Sequence, residues 1–271
     1  MNRKSTKIIL LLLIVMVILL VYLCLIHQSG NARQTYENLD LEELVIPKYQ
    51  ASDGSVVAHH GYTLCYSEEH EQPLWVAYVL TPEEVNTKAV KRKDNFRADP
   101  AVPTGSATPA DYKSSGYDRG HLAPFADLSW SEESGNDSFF MSNMSPQNGS
   151  FNRGRWADLE ALVRSFANEE SMCIVTGPVL SDGPYKTIGK NKVSVPNYFY
   201  KVVLDYEGNE IKAIGFILPN EKCQQPLTYY AVTVDEVEQV TGLDFFYLLN
   251  DDVENELEGK INIDDWNFYS K

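Results

Sequence analysis

An uncharged apolar run near the N-terminus divides the chain into two parts of different character. Ile8–Ile26 holds 19 residues without a charge and follows the basic residues Arg3, Lys4 and Lys7. Such a run lies at the lower limit of what spans a bilayer, and it exceeds the about 7–15 residues usual for the core of a cleavable signal. The basic flank predicts that residues 1–7 stay in the cytoplasm and that the chain after Ile26 is exported.

The sequence favours an uncleaved transmembrane anchor over residues 8–26, and a cleaved signal is the alternative. Gly30 and Ala32 supply the small residues that a cleavage site after Ala32 needs. Either form places the functional part outside the membrane, as an anchored or a secreted protein. Residues 27–54 are predicted to form a juxtamembrane linker, and residues 55–271 the functional domain.

The charge of the chain limits how it can meet a polyanion. It carries 23 Lys and Arg against 38 Asp and Glu, a formal net charge of −15. An acidic body repels nucleic acid at long range, so such a partner needs a local basic patch. Lys88–Arg97 is the densest basic stretch outside the N-terminus and the first candidate for that patch. Lys186, Lys190 and Lys192 form a second.

Cysteine usage is compatible with export. Cys24 lies in the apolar run, and the exported part contains Cys65, Cys173 and Cys223. Three cysteines allow at most one disulfide within the chain, and the sequence leaves its pairing open. No cysteine spacing resembles a zinc site.

Short apolar runs between turn residues predict strands interrupted by few helices. Gly208-Asn209 separates two of these runs and is typical of an antiparallel hairpin. Thr233 and Glu236 fit the capping box of a helix that Gly242 ends, and apolar spacing after Trp156 indicates an earlier helix. The pattern predicts an α+β domain. The predicted strands are Tyr62–Tyr66, Leu74–Leu80, Cys173–Leu180, Tyr198–Leu204 and Ile211–Leu218.

The residues able to carry chemistry are concentrated between positions 118 and 160. Asp118-Arg119-Gly120-His121 sets an imidazole, which can take a proton from water near neutral pH, beside a guanidinium suited to phosphate oxygens. On a regular helix, Asn152, Trp156 and Glu160 fall on one face. An amide oxygen is a suitable hard ligand for a Mg²⁺ ion that keeps most of its waters, and a carboxylate can orient those waters.

Three motifs occur in a fixed order. They are Asp118–Pro124 (DRGHLAP), Asn143–Gln147 (NMSPQ), and Asn152-Arg153-Gly154 followed by Trp156 and Glu160. Together with flanking blocks over Val56–Leu249, they resemble the DNA/RNA non-specific endonuclease family, the ββα-metal or His-Me finger nucleases. The resemblance implies an α+β fold with a mainly antiparallel central sheet flanked by helices.

The resemblance also implies a role for each matching residue. His121 would be the general base that activates the attacking water, and Arg119 would contact the phosphate near the reacting centre. Asn152 would be the sole direct protein ligand of one Mg²⁺ ion, which is mostly water-coordinated and for which Mn²⁺ can substitute. Glu160 would hold a metal-bound water, and Asn143 would support the base or the metal site through hydrogen bonds.

A further catalytic arginine of the family has two candidates. The family places it shortly before a Phe-x-x-Asp-Pro segment, here Phe96–Pro100, and two non-basic residues stand immediately before that segment. Arg92 and Arg97 therefore both remain candidates. With Lys91 and Lys93, they are also predicted to bind the substrate.

The resemblance implies a Mg²⁺-dependent, sugar-non-specific endonuclease that hydrolyses phosphodiester bonds of DNA, and of RNA, and leaves 5′-phosphates. Because the contacts go to phosphate and not to base edges, cleavage is expected to be largely sequence-independent. Degradation of extracellular nucleic acid and nicking of DNA during uptake are both compatible uses. The alternatives are a membrane-anchored nucleic-acid-binding module of a DNA-uptake system without turnover, and a phosphodiesterase acting on another substrate. Which protein partners the chain has is left open by the sequence.

Overall fold

The structure is a computed structural model that describes residues 14–23, 39–50, 52, 54–181, 183–207 and 211–268. Residues 14–23 are helical. The rest of the predicted anchor, residues 8–13 and 24–26 with Cys24, lies outside the described residues. Within the described ranges, no helix has both the length and the apolar character that a bilayer span requires.

A seven-stranded antiparallel sheet is the framework of the unit that begins at Leu41. The strands of this sheet are β1 Ser55–His59, β2 Tyr62–Ser67, β3 Gln72–Leu80, β6 Met172–Pro178, β9 Tyr198–Asp205, β10 Lys212–Pro219 and β11 Ala231–Val232. They lie in the order β1-β2-β3-β6-β9-β10-β11, and each neighbouring pair is antiparallel. The central strand β6 is buried along its whole length, which fits its continuous apolar sequence.

The five predicted strands are confirmed as β2, β3, β6, β9 and β10, with small differences at their ends. The predicted hairpin is confirmed in its pairing, because β9 and β10 are antiparallel neighbours with Asp205 opposite Lys212. Its turn, residues 208–210, lies outside the described residues. Two further ribbons, which the apolar pattern does not predict, pair β4 Asp118–His121 with β5 Met144–Gln147 and β7 Lys186–Ile188 with β8 Val193–Val195.

Helices lie between the strands and after the sheet. The predicted capping box is confirmed: the Glu236 amide donates to Thr233 Oγ1 at 3.2 Å, and the Thr233 amide donates to the Glu236 carboxylate at 2.9 Å. Gly242 ends this helix with a φ of +74°. The α-helices are α1 Leu41–Leu44, α2 Pro82–Asn86, α3 Pro109–Tyr112, α4 Phe125–Leu128, α5 Glu132–Asp137, α6 Gly149–Phe151, α7 Ala157–Ala167, α8 Val234–Thr241 and α9 Asp251–Glu258.

The compact unit begins at Leu41, ahead of residue 55, where the sequence pattern places the domain. Leu44 and Val45 are buried in the core. Lys48 binds Asp244 twice, through its backbone amide at 2.8 Å and its ammonium group at 2.7 Å. Leu44 and Val45, which lie within the predicted linker, therefore pack as part of the domain.

Helix α7 is fixed by an apolar face that packs on the sheet. Leu159, Val163 and Phe166 recur at helical spacing and are buried. Before the helix, the rings of Phe151 and Trp156 lie 5.2 Å apart in the core. This packing sets the position of the residues that precede and follow Trp156 on the chain. In the described part of the chain, no disulfide joins Cys65, Cys173 and Cys223.

Candidate active site

A two-stranded ribbon outside the main sheet carries the DRGH motif. In its register, Asp118 lies opposite Gln147 and His121 opposite Met144. Gly120 is required at this point because a Cβ there would lie 2.1 Å from the Gln147 side chain. Helix α6, a π-helical turn and α7 follow the second strand directly, so the chain forms a strand–strand–helix unit.

The His121 side chain lies between aromatic rings. The residue is only 8% exposed, and its ring centroid lies 5.6 Å from Phe96 and 5.3 Å from Phe139. Its Nε2 atom is buried and has no hydrogen-bond partner among the described residues. Burial, followed by the positive charge of Arg92, lowers the pKa of His121 to about 3. The imidazole is therefore neutral near pH 7 and retains a lone pair that can accept a proton.

An open cleft of about 600 Å³ is lined by four motif residues, Asp118, Arg119, Asn152 and Arg153. Phe96 forms part of its wall, and the ring of Phe96 also packs against the His121 ring. Arg119 extends into the cleft with its guanidinium group 4.0 Å from the Phe96 ring centroid. The lining residues are Arg92, Asp94, Phe96, Pro109, Tyr112, Lys113, Tyr117, Asp118, Arg119, Asn152 and Arg153.

Asn152 stands at the start of a distorted helical segment. The five residues Asn152–Trp156 form a π-helical turn, within which Gly154 has non-helical angles of φ −115° and ψ −116°. The prediction that Asn152, Trp156 and Glu160 share the face of one regular helix is therefore wrong for its first turn. From Trp156 to Glu160 the backbone is regular α-helix, and the two side chains lie one turn apart.

A carboxylate on the ribbon orients the Asn152 amide. Asn152 Nδ2 donates to Asp118 Oδ2 at 3.0 Å, and Arg153 Nη1 donates to the same oxygen at 2.5 Å. Because the amide nitrogen is held by Asp118, the amide oxygen is the atom presented for a ligand. That oxygen, next to the Asp118 carboxylate, is a hard donor of the type that Mg²⁺ prefers.

Asn143 acts on the backbone that follows the histidine. It is fully buried, and its side chain makes three hydrogen bonds. Nδ2 donates to the carbonyl oxygens of Ala123 at 2.8 Å and Ser138 at 3.0 Å, and Oδ1 accepts from the Ala123 amide at 3.0 Å. The structure places Asn143 where it fixes the chain two residues beyond His121, without a hydrogen bond to the imidazole.

Glu160 borders a buried charged group that the motifs do not include. Lys201 on β9 is 1% exposed, and its Nζ atom has no hydrogen-bond partner within the part of the chain that the structure describes. Its ammonium group lies 5.2 Å from the centroid of the Trp156 ring. Burial raises the pKa of Glu160 to about 7, although the positive charge of Lys201 acts to lower it. Burial also lowers the pKa of Lys201, to about 8.

Arg164, which lies one helical turn after Glu160, bonds to another carboxylate. Arg164 Nη1 donates to the buried Asp127 carboxylate at 2.7 Å, and the Tyr78 hydroxyl donates to the other Asp127 oxygen at 2.8 Å. Sequence reasoning does not identify Lys201 or Asp127. The one sequence feature that could have identified Lys201 is that it is a charged residue inside the apolar run of β9.

The structure separates the two arginine candidates. Arg92 lines the cleft, and its Nε donates to Asp94 at 2.7 Å. Arg97 points away from the cleft lining: its Nη1 donates to the Asn136 carbonyl at 2.8 Å, and its guanidinium group lies 3.8 Å from the Phe140 ring centroid. Arg92 is therefore the arginine placed to reach a substrate, and Arg97 ties two chain segments together.

The predicted basic patches border the cleft in part. Lys91 and Lys93 are exposed on either side of Arg92 in an extended segment. From the second patch, Lys186 lies with its Nζ 5.1 Å from the ring of Tyr117, a residue of the cleft wall. Lys190 and Lys192 are exposed near the turn of the same hairpin. The basic side chains that line the cleft itself are Arg92, Lys113, Arg119 and Arg153.

Known proteins are similar to this chain in both sequence and fold. The model of the DNA/RNA non-specific endonuclease family matches residues 42–252. Human mitochondrial endonuclease G is 35% identical over 202 residues, which cover 69% of this chain and 68% of that protein. Nuclease C1 of Cunninghamella echinulata var. echinulata is 38% identical over 201 residues, covering 68% and 80% of the two chains.

Two further comparisons extend over more of the chain. A nuclease of Nostoc sp. is 33% identical over 229 residues, covering 80% of this chain and 82% of that protein. A chain in the crystal structure of the EndoG/EndoGI complex superposes with a TM-score of 0.71 and 31% identity, over 79% of this chain and 94% of that one. This chain therefore belongs to the DNA/RNA non-specific endonuclease family and is a nuclease, a hydrolase of nucleic acids.

Proposed function

We propose that this nuclease is a Mg²⁺-dependent endonuclease that cleaves DNA and RNA without sequence specificity and leaves 5′-phosphates. The observation that carries the proposal is the neutral His121 ring, with an unpartnered Nε2, on the same strand–strand–helix unit as the oriented amide of Asn152. The first can accept a proton, and the second can hold a cation.

The residues present fit a hard divalent cation. Asn152 would hold Mg²⁺ through its amide oxygen, because its nitrogen is bonded to Asp118. Glu160 is half-buried one turn beyond Trp156, with the charge of Lys201 favouring its ionised form. When bound, the ion would supply Lewis acidity at the scissile phosphate and at the leaving 3′-oxygen. Mn²⁺ has similar ligand preferences and is the expected substitute.

The protein side chains account for the remaining steps. His121 would take the proton of the attacking water, and the rings of Phe96 and Phe139 hold its imidazole in place. Arg119 and Arg92 would bind the phosphate oxygens from the cleft wall, since a guanidinium group offers paired donors in a fixed geometry.

The cleft lining favours contacts with the nucleic-acid backbone. It presents arginine, lysine and aromatic side chains on an open surface, and no narrow pocket for a base is required for such contacts. Phosphate contacts position a nucleic acid but carry no sequence information. Sequence-independent cleavage of both DNA and RNA follows from that chemistry.

A cleavage assay with a matched histidine control tests the proposal. Plasmid DNA and a structured RNA would be incubated with the purified protein, with Mg²⁺, Mn²⁺ or EDTA, beside His121→Ala and His60→Ala. His60 is a half-exposed histidine stacked on Trp130, outside the cleft lining. Degradation that needs both the metal and His121, with His60→Ala unaffected and ligatable 5′-phosphate ends, is the expected result.

Two other outcomes would favour the alternatives. A folded protein that retains DNA in EDTA and never shortens it with metal would be a nucleic-acid-binding module. A protein that hydrolyses a small phosphodiester but leaves plasmid and RNA intact would be a phosphodiesterase of another class.

We also propose that the catalytic domain works outside the cytoplasmic membrane, either anchored through residues 8–26 or released after cleavage. The support is the apolar run itself and its basic N-terminal flank. Cell fractionation with N-terminal sequencing of the mature protein distinguishes the two forms. Recovery of the intact chain in the cytosol would contradict export. Degradation of extracellular nucleic acid and processing of DNA during uptake both fit this location.

A further inference from the structure

A second group of carboxylates lies where α8 meets the end of α9. Asp235 and Glu238 come from the first helix and Glu258 from the second. One carboxylate oxygen of each lies within 4.8 Å of one oxygen of the others. None of the three lines the cleft that holds the DRGH motif.

Glu258 gives the group its unusual character. The residue is 4% exposed, and its Oε1 atom is buried with no hydrogen-bond partner in the described part of the chain. A buried carboxylate oxygen without a donor costs free energy that a native structure normally offsets with a partner. The unpartnered oxygen belongs to the carboxylate that faces Asp235 and Glu238.

Acidic groups dominate the electrostatic surroundings of Glu258. Burial and the charges of Glu238, Glu254, Asp235 and Asp244 raise the pKa of Glu258 to about 9. The largest charge effects on this carboxyl group therefore all come from acidic side chains.

The backbone holds the three carboxylates in place. Glu238 Oε1 accepts a hydrogen bond from the Phe245 amide at 2.7 Å, which fixes that carboxylate from one side. Gly259 follows Glu258, and a Cβ there would lie 3.3 Å from Asp235 Oδ2. The absence of a side chain at residue 259 lets the end of α9 approach Asp235 closely.

We propose that Asp235, Glu238 and Glu258 form a binding site for a hard divalent cation of the Ca²⁺ class, which joins α8 to α9. Oxygen atoms up to 4.8 Å apart fit an ion that binds each oxygen at about 2.3–2.6 Å. Ca²⁺ accepts irregular carboxylate geometry, whereas Mg²⁺ requires a near-ideal octahedron at about 2.0–2.1 Å. The exposed side of Asp235 leaves room for the waters that complete the coordination.

The site is structural and goes beyond the proposed cleavage reaction. An ion bound only in the folded state stabilises that state according to its concentration and affinity. Binding would therefore be seen as a melting temperature that rises with the logarithm of the ion concentration above the dissociation constant, whether or not the nuclease is active.

The test measures thermal unfolding of the full chain in metal-free buffer with increasing CaCl₂. The background variant Asn152→Ala removes the proposed catalytic ligand, so that the remaining response reports the second site. We expect a rise of about 5–10 °C at an ion concentration about 100 times the dissociation constant, and a further rise with the logarithm of concentration. Asp235→Asn and Glu238→Gln should abolish this rise, whereas the control Asp264→Asn, an acidic residue outside the cluster, should retain it.

Calorimetric titration with CaCl₂ on the same proteins measures how many ions bind to each molecule. We expect Asp235→Asn to bind one ion fewer than its background protein. Asp235→Asn made alone, with Asn152 intact, should fold and cleave plasmid like the unsubstituted protein, because Asp235 is exposed. The proposal is overturned if Ca²⁺ does not raise the melting temperature, or if the two cluster variants respond like the protein without these substitutions. Stabilisation by Mg²⁺ but not by Ca²⁺ would overturn the assignment to the Ca²⁺ class.

Discussion

Asp118 accepts a hydrogen bond from Asn152 Nδ2 at 3.0 Å, so one carboxylate connects the strand that carries His121 to the helical segment that presents the amide. The two residues are 34 positions apart in the chain. This bond decides which atom of the Asn152 amide faces a cation, and thereby couples the histidine ribbon to the proposed metal ligand.

Replacing Asp118 should weaken metal use without removing the ligand. In Asp118→Ala, the Asn152 amide is free to rotate, and we expect cleavage at limiting Mg²⁺ to fall by about 10–100-fold. Excess Mg²⁺ should restore part of the rate. The measurement is the Mg²⁺ dependence of plasmid cleavage, with Asp158→Ala as control because Asp158 binds only the helix neighbour Arg155 in a surface pair at 2.8 Å. A Mg²⁺ dependence identical to that of the parent would contradict this role.

The lowered pKa of His121 should appear in both titration and stability. In the folded state the imidazole is neutral down to about pH 3, whereas in the unfolded chain it takes a proton near pH 6.5. The contribution of this group is thus fully present above about pH 6.5 and is lost as the pH falls toward 3. Between pH 6.5 and 5 we expect a loss on the order of 2 kcal/mol.

Two measurements check this behaviour. The NMR signals of the His121 ring should not titrate between pH 5 and 8. Urea unfolding at several pH values should show a smaller acid loss for His121→Gln than for the parent, because the variant has no proton to bind at this position. A ring midpoint near 6.5 would show that the aromatic pocket does not exclude the charged form.

Lys201 should be needed for both folding and the charge of Glu160. Lys201→Met leaves the half-buried Glu160 carboxylate without the opposing charge that favours its ionised form, and an uncompensated buried polar group of this kind costs about 1–3 kcal/mol. The double variant Glu160→Gln/Lys201→Met should recover much of that stability but none of the cleavage rate. Denaturant unfolding and initial rates on the three proteins give the coupling. Additive losses in the double variant would show that the two groups do not act together.

The two arginine candidates should fail in different ways. Arg92→Ala removes a cleft side chain and should lower the cleavage rate by at least about tenfold with little loss of stability. Arg97→Ala removes the bond to the Asn136 carbonyl and the stacking on Phe140, and should lower the melting temperature more than the rate measured well below it. The opposite pattern would reverse the two assignments.

The exposed lysines beside Arg92 should act through the salt dependence of binding. Neutralising Lys91 and Lys93 together, as Lys91→Gln/Lys93→Gln, should reduce the slope of log affinity against log salt by about 0.9 for each phosphate that a lysine no longer neutralises. Binding of a short duplex in EDTA would be measured over a range of NaCl concentrations. Lys260→Gln, which removes a lysine paired on the helix surface with Glu256, is the control. An unchanged slope would mean that this segment does not bind DNA.

The sequence alone determined the family and the chemical identity of the candidate site. His121, Asn152 and Glu160 stand in motifs whose residue types and spacing are those of a phosphodiester-cleaving site. The five main strands and the capped helix at Thr233 were also readable, because strand runs and helix ends depend on neighbouring residues. Local patterns are sufficient for features of this kind.

The tertiary structure decided how those residues are arranged and which others join them. The π-helical turn before Trp156 reorients Asn152 toward Asp118, and the choice between Arg92 and Arg97 depends on which wall each side chain reaches. Lys201 comes from a strand 41 positions beyond Glu160 and meets its helix only after the sheet and α7 have packed. Contacts between distant segments depend on packing of the whole domain, which the periodicity of a single segment does not encode.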